Sequence, residues 1–468
     1  MASTGGMHSM AREALQRWIE EHTDEMVVDL RTLLQCESVK SEPLPMAPFG
    51  LGVRAAFDTL LELGQRYGFR VKDYDGYALH LEIGEGDEIV GTLSHVDVVP
   101  PGNGWSVPPF EGVVHDGYIY ARGAQDDKGP TIAVLYAARA IRELGLPMRR
   151  RIRLIVGGDE ESGWECMRYY FQHEPERPCC GFTPDGGWPL IYAEKGIVNL
   201  QIEKNASPAE QLPRIVWARG GERPNMVPDR AEAFLEAKGE QIDAIQSALS
   251  GIDDIVTTSE DRGVLVVARG KSAHGSSPNE GVNAVTKLLS ALELLGLPEN
   301  RHWLSTLREW AQSTDGAAIG IAHSDEVSGA LTANLGVFDY NGARVQCTIN
   351  VRYPVTWTLD ALLERLKAVI EPQGFALTNH FGIAPLYVPL DTPFLQTILR
   401  IYREETGDDK PPQTMGGGTY ARATQNIVAI GTGFEGDGAA HEPDERIAVS
   451  TLQKITLIYA RILQEVAQ

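Results

Sequence analysis

The sequence predicts an α/β protein: a discontinuous domain with a mostly parallel central sheet flanked by helices, interrupted by an inserted α+β domain. Three observations predict it. Strand-like apolar runs alternate with helical stretches early in the chain, the middle carries a different mixture of strands and amphipathic helices, and the first pattern returns near the C-terminus. At 468 residues the chain has room for two or three domains.

The elements follow in order. Residues 88–93 (EIVGTL) read as a buried strand and residues 151–156 (RIRLIV) as another. Between them Ile132, Leu135, Ala138 and Ile141 recur every third residue and predict one face of a helix. Pro130 stands near its start, where a missing N–H costs little. In the middle, 263–268 and 345–351 read as strands, and 281–295 and 359–370 as amphipathic helices. After Leu386 a helix is expected around 394–405 and a strand at 426–430. The expected domain limits are 11–198 with 385–468 for the α/β part and 199–384 for the insert. The first ten residues, small and polar, read as a cloning remnant or a frayed terminus.

Composition excludes several function classes. Hydrophobic residues at 43% and charged residues at 23% suit a globular chain and not wholesale disorder. Lys+Arg number 42 against 64 Asp+Glu, a net charge of −22, which repels phosphate backbones and anionic membranes. No nucleic-acid or membrane partner is expected. There is no apolar run of about 18 residues for a membrane helix, and the N-terminus lacks the basic start and apolar stretch of a secretory signal. Cys36, Cys166, Cys179, Cys180 and Cys347 make an odd set that suits a reducing, cytoplasmic compartment.

The chemistry-bearing residues fall at the ends of predicted strands. His95 and Asp97 follow the first strand, Asp126 and Asp127 open the helix, and Asp159, Glu160 and Glu161 follow the strand at 151–156. Asp185 lies in Phe182-Thr183-Pro184-Asp185, and His441 in a glycine-rich loop followed by Glu442 and Glu445. Taken singly, each has a plain explanation; an Asp-Asp pair before a helix caps it and opposes its dipole. Four such clusters at strand ends, with a late glycine-flanked histidine, are not explained as solvated loops. In open α/β sheets functional residues gather at the carboxyl ends of strands. Two zinc-like ions need about three or four N/O ligands each, and one carboxylate can bridge ions roughly 3.5–4 Å apart. A further carboxylate must stay off the metals to take a proton from water.

These motifs, with Ser272-Ala273-His274-Gly275, Asn350-Val351-Arg352-Tyr353-Pro354 and Gly416-Gly417-Gly418-Thr419-Tyr420, resemble the co-catalytic metallopeptidase family of aminoacylase, glutamate carboxypeptidase and carnosinase. Within it the chain is similar to the bacterial PepV-type dipeptidases. The resemblance runs from His95 to His441. It implies a catalytic domain with an inserted lid, a dipeptide substrate with a free carboxylate, and a water held between two divalent ions: zinc first, manganese or cobalt as alternatives. It further implies that His95 and Asp185 bind one metal, His441 and Glu161 the other, and that Asp126 bridges them. Glu160 would be the general base and Asp97 would orient His95, while Asp127 takes the motif's variable place. Asn103 replaces the more usual acidic residue in the loop after Pro100. His274 would stabilise the oxyanion, and Asn225, Arg352, Gly416, Gly417 and Gly418 would bind substrate. The enlarged insert implies a monomer. The rival readings are an N-acyl amino acid amidohydrolase, a catalytically inactive peptide-binding relative and, more remotely, a two-metal phosphoesterase.

Overall fold

The computed structural model describes residues 4–206, 210–297 and 301–468. The chain divides into two compact units: Met1–Tyr192, Val388–Gln413 and Gly418–Gln468 form the first, Ala193–Tyr387 and Thr414–Gly417 the second. The first crossing precedes the expected 198/199 because the strand Gly196–Asn205 pairs along its whole length with Arg344–Tyr353 in the second unit.

The first unit is built on a mixed sheet. Its four inner strands, Arg151–Gly157, Ile89–His95, Cys180–Gly186 and Ile427–Gly431, lie side by side and parallel. Antiparallel strands flank them: Arg70–Tyr74 and Ala78–Ile83 on one side, Ile191–Glu194 on the other. The parallel core matters for function, because it brings the carboxyl ends of all four inner strands to one edge of the sheet.

Helix Lys128–Glu143 differs from its expected single apolar face. Lys128 through Ile141 are all buried, because the C-terminal helix Val449–Ala467 packs along it and both rest on strands Ile89–His95 and Arg151–Gly157. Arg139 tolerates that burial by pairing with Glu25 and Glu143 and lying 3.7 Å from the Tyr67 ring centre. The N-terminus also departs from expectation. Residues 4–10 form the first turns of helix Thr4–Glu21, whereas Met1–Ser3 lie outside the described residues.

The second unit is α+β. Eight strands form an antiparallel sheet, among them the two expected ones, here Gly263–Arg269 and Arg344–Tyr353. Helix Leu359–Ile370 has the predicted limits, with the Thr358 side chain capping Ala361 N–H. The helix expected from 281 starts at Ala284, where Asn283 accepts from the Val285 N–H and fixes the N-terminus. Among the described residues no helix is long and apolar enough to cross a membrane.

Candidate metal centre

The first unit gathers seven of the predicted residues: His95, Asp97, Asp126, Glu160, Glu161, Asp185 and His441. His95 closes its strand and is 1% exposed. Its Nδ1 lies 2.9 Å from the main-chain carbonyl of Asp97. A carbonyl only accepts, so Nδ1 carries a proton and, in the neutral ring, Nε2 presents its lone pair. Nε2 is 3.0 Å from Asp126 Oδ1 and 4.0 Å from Asp185 Oδ2. In a second group, His441 Nε2 is 2.8 Å from Glu161 Oε1 and 3.0 Å from Asp126 Oδ2. Asp126 therefore offers one oxygen to each histidine. The ligand atoms of each trio lie within 4.8 Å of one another.

This donor set fits two divalent ions. Each group supplies one imidazole and two carboxylates, one of them shared, which leaves positions open as in catalytic rather than closed structural sites. Mixed imidazole and carboxylate ligands suit zinc, manganese and cobalt alike. Hydrogen bonds to Asp126 and Glu161 push His441 up to about 10. Burial opposes charge on His95, yet its bonds to Asp126 and Asp97 raise it well above the usual histidine range. Asp126, although buried, is held below the usual carboxylate range by the two histidines.

A pH dependence follows. The His441 charge stabilises the metal-free fold fully below its ordinary value of 6.5, and that contribution is lost as pH rises through about 10. An incoming ion must displace the same proton. Divalent-metal affinity of the stripped protein is therefore expected to rise between pH 6.5 and 8.5, with proton release on binding, while its metal-free stability falls. Calorimetric titrations in buffers of different ionisation enthalpy check this; affinity independent of pH would contradict it.

The Asp97 carboxylate makes contacts on two sides. One oxygen accepts the Glu160 N–H and the other the Glu161 N–H, each at 3.0 Å. It also stands 3.5 Å from His95 Nδ1, whose nearer partner is the Asp97 carbonyl at 2.9 Å. Asp97 thus fixes the turn that aims Glu160 and Glu161. Asp159 braces the same turn, accepting from Lys40 Nζ at 2.7 Å and Glu165 N–H at 3.0 Å. Glu160 is pushed well above the usual carboxyl range, first by burial and then by the Asp185 charge.

Three residues named in the sequence make contacts that the sequence did not assign to them. Asp127 stands at the helix N-cap, but its side chain caps nothing there. It is fully buried and accepts the His95 main-chain N–H at 3.2 Å. Tyr420, also fully buried, sets its ring 6.1 Å from the His95 ring and its hydroxyl 2.8 Å from Cys166 Sγ. Glu445, named only as a neighbour of His441, takes the main-chain N–H groups of Gln125 and Asp126. Its spacing from His441 was the available signal.

The second unit brings Asn225, His274 and Arg352 together. Gly275 N–H donates to the Asn225 carbonyl at 2.7 Å, and a side chain at Gly275 would crowd that carbonyl at 3.0 Å, so the close approach favours glycine. The Ser276 N–H points at His274 Nδ1 from 3.3 Å. Since an amide only donates, Nδ1 accepts, and the proton sits on Nε2. Burial and then the Arg352 charge lower the His274 pKa, which favours the neutral ring with Nε2–H as its donor. Arg352 is 4% exposed and donates to Asn350 Oδ1 at 3.0 Å and to the Gly416 carbonyl at 2.8 Å. Gly416 and Gly417 belong to this unit, whereas Gly418 belongs to the first.

The sequence profile of peptidase family M20/M25/M40 matches residues 91–465. The chain belongs to this family. It is an M20 metallopeptidase, and the matched span contains every predicted metal ligand. Relatives match nearly all of its length. A Bacillus subtilis protein named "Putative dipeptidase YtjP" is 38% identical over 462 residues, covering 95% of this chain and 98% of that protein. A Staphylococcus epidermidis "Putative dipeptidase" is 37% identical over 452 residues, covering 94% and 96%. Among solved structures, the Saccharomyces cerevisiae di-peptidase Dug1p superposes with a TM-score of 0.60 at 13% identity, covering 98% of both chains. Human carnosine dipeptidase 1 gives 0.56 at 18%, covering 98% of this chain and 99% of that one. At such identities these structures establish the fold alone.

Proposed function

We propose that the chain is a two-metal dipeptidase that hydrolyses dipeptides with a free C-terminal carboxylate. The observation that carries this reading is the Asp126 carboxylate, which faces one histidine with each oxygen, while Glu160 stands beside the ligand Glu161 on a turn held by Asp97. The names of the full-length relatives supply the substrate class. His95 and Asp185 would hold one ion, His441 and Glu161 the other, with Asp126 shared. Bound there, the ions would polarise the peptide carbonyl and acidify a water held between them. Glu160 would take the proton from that water and return it to the leaving amine.

The second unit would act as the lid that supplies substrate contacts. His274, neutral with its proton on Nε2, would donate to the developing oxyanion. Arg352, Asn225 and the glycine segment Gly416–Gly418 would bind the substrate's carboxylate end. We read the chain as an active monomer, because the insert is long enough to complete the site within one chain. The five free cysteines support a cytoplasmic location.

A dipeptide panel run beside N-acetyl amino acids tests the substrate class, and preference for the acetyl compounds would move the chain to the amidohydrolases. The carboxylate contact has its own test. A charge-assisted hydrogen bond is worth about 1.5–3 kcal/mol. Amidating the dipeptide is therefore expected to lower kcat/KM by roughly one to two orders of magnitude. Arg352→Lys is expected to be impaired on the free dipeptide, since a point charge does not reproduce the planar fork. Equal kinetics on the free dipeptide, its amide and a tripeptide would contradict the assignment.

A further inference from the structure

Arg122 and Glu445 form a buried ion pair to which the reaction above assigns no task. Arg122 Nη1 donates to Glu445 Oε2 at 2.7 Å, and the two side chains are 2% and 0% exposed. The other oxygen of Glu445 accepts the main-chain N–H of Gln125 at 2.9 Å and that of Asp126 at 3.1 Å. The same guanidinium reaches further. Nη1 lies 3.3 Å from the Glu442 carbonyl, one residue beyond His441, and Nη2 lies 3.2 Å from the Pro101 carbonyl. The Trp105 ring covers the guanidinium carbon at 5.3 Å, and its Nε1 closes on the Pro101 carbonyl at 2.7 Å.

The pair therefore stands where three loops meet: the one after His95, the turn that carries Asp126, and the loop that carries His441. Asp126 directs one oxygen to each histidine, so a small shift of its main chain disturbs both trios at once. We infer that Arg122 and Glu445 are positioning residues that hold the Asp126 carboxylate between His95 and His441, so that this one ion pair sets the affinity of both metal sites together. The inference rests on the two-metal reading above. Its physical basis is that charged hydrogen bonds in a buried setting fix geometry strongly. Removing either charge leaves its partner buried and unpaired. Groups that orient metal ligands typically contribute about 10–100-fold to metal affinity.

The test is calorimetric titration of the metal-stripped full chain with Mn²⁺, together with circular dichroism and melting curves. The variants are Glu445→Gln, Arg122→Lys and, as a control, Arg153→Lys. Arg153 forms another buried pair in this unit, 2.6 Å from Glu82, and touches no metal ligand. Glu445→Gln turns an amide donor toward Arg122, whereas Arg122→Lys keeps the charge and loses the fork. Both variants are expected to weaken both ions together by about 10–100-fold. The control is expected to melt earlier and to bind both ions as the wild type does. Should Glu445→Gln fail to fold, Arg122→Lys decides. A folded Glu445→Gln or Arg122→Lys protein with wild-type affinity at both sites would overturn the inference. So would equal weakening in the control, which would mean general loosening. A wild-type chain that takes up fewer than two ions would instead overturn the two-metal reading, and the inference with it.

Discussion

Glu160→Gln is expected to lower turnover on a dipeptide by about 10²–10⁴-fold while both metal ions stay bound. The substitution keeps the shape of the side chain and removes the group that accepts the proton. Glu160 is absent from both ligand trios, so metal content has no reason to change. Its main chain stays fixed as well, because the Asp97 carboxylate holds the amide of residue 160 and not its side chain. The neighbouring substitution Glu161→Gln has the opposite expected signature, since Glu161 stands 2.8 Å from His441. It is expected to lower metal occupancy first and activity as a consequence. Metal analysis of both purified variants beside single-turnover rates separates the two; reversed phenotypes would shift the assignment of base and ligand by one residue.

Asp126→Ala is expected to be the most damaging ligand change, weakening both ions by more than the roughly 100-fold ceiling typical of groups that only orient a ligand. Removing a shared carboxylate takes one donor from each trio and leaves His95 and His441 without the charge between them. The adjacent Asp127→Asn offers a sharp contrast. Burial raises the Asp127 carboxyl well above its usual range, and an amide keeps the side chain's shape and the oxygen that faces the His95 N–H. Its oxygen still accepts the His95 N–H. Asp127→Asn is therefore expected to retain both ions, whereas Asp127→Ala, by orphaning a buried N–H, is expected to cost about 1–3 kcal/mol of stability. Equilibrium dialysis with Zn²⁺ on the three variants checks the contrast. Equal loss of metal in Asp126→Ala and Asp127→Asn would contradict it.

Much of the candidate site was legible because its residues lie immediately after strands. Apolar runs marked the strands that end at His95 and Gly157, and parallel packing of those strands brings their ends to one edge. His95, Glu160 and Glu161 could thus be placed together from local pattern alone. Asp126 and His441 were harder, since they lie 315 residues apart (441 − 126) and meet through tertiary folding; the motif resemblance supplied that pairing. What stayed hidden was of the same long-range kind. The periodicity of residues 132–141 shows one apolar face but carries no sign of the C-terminal helix that buries the rest. Asp127 has the sequence position of a helix cap, and its inward turn depends on a main-chain N–H contributed by another strand. The Arg122–Glu445 pair joins residues 323 apart, and only Glu445, by its spacing from His441, carries a local mark. The break between the units shifted for a similar reason: strand Gly196–Asn205 is recruited by its partner Arg344–Tyr353.

The central claim is that two ions on a shared Asp126 make this chain a dipeptidase. The most direct measurement strips the metal with chelator, adds back Zn²⁺, Mn²⁺ or Co²⁺ stepwise, and follows bound ions per chain alongside hydrolysis of a free dipeptide. The chelated protein is expected to stay folded and inactive, and full hydrolysis to return as the second ion per chain binds. Full activity with no metal bound, or saturation of both activity and binding at one ion per chain, would contradict the account.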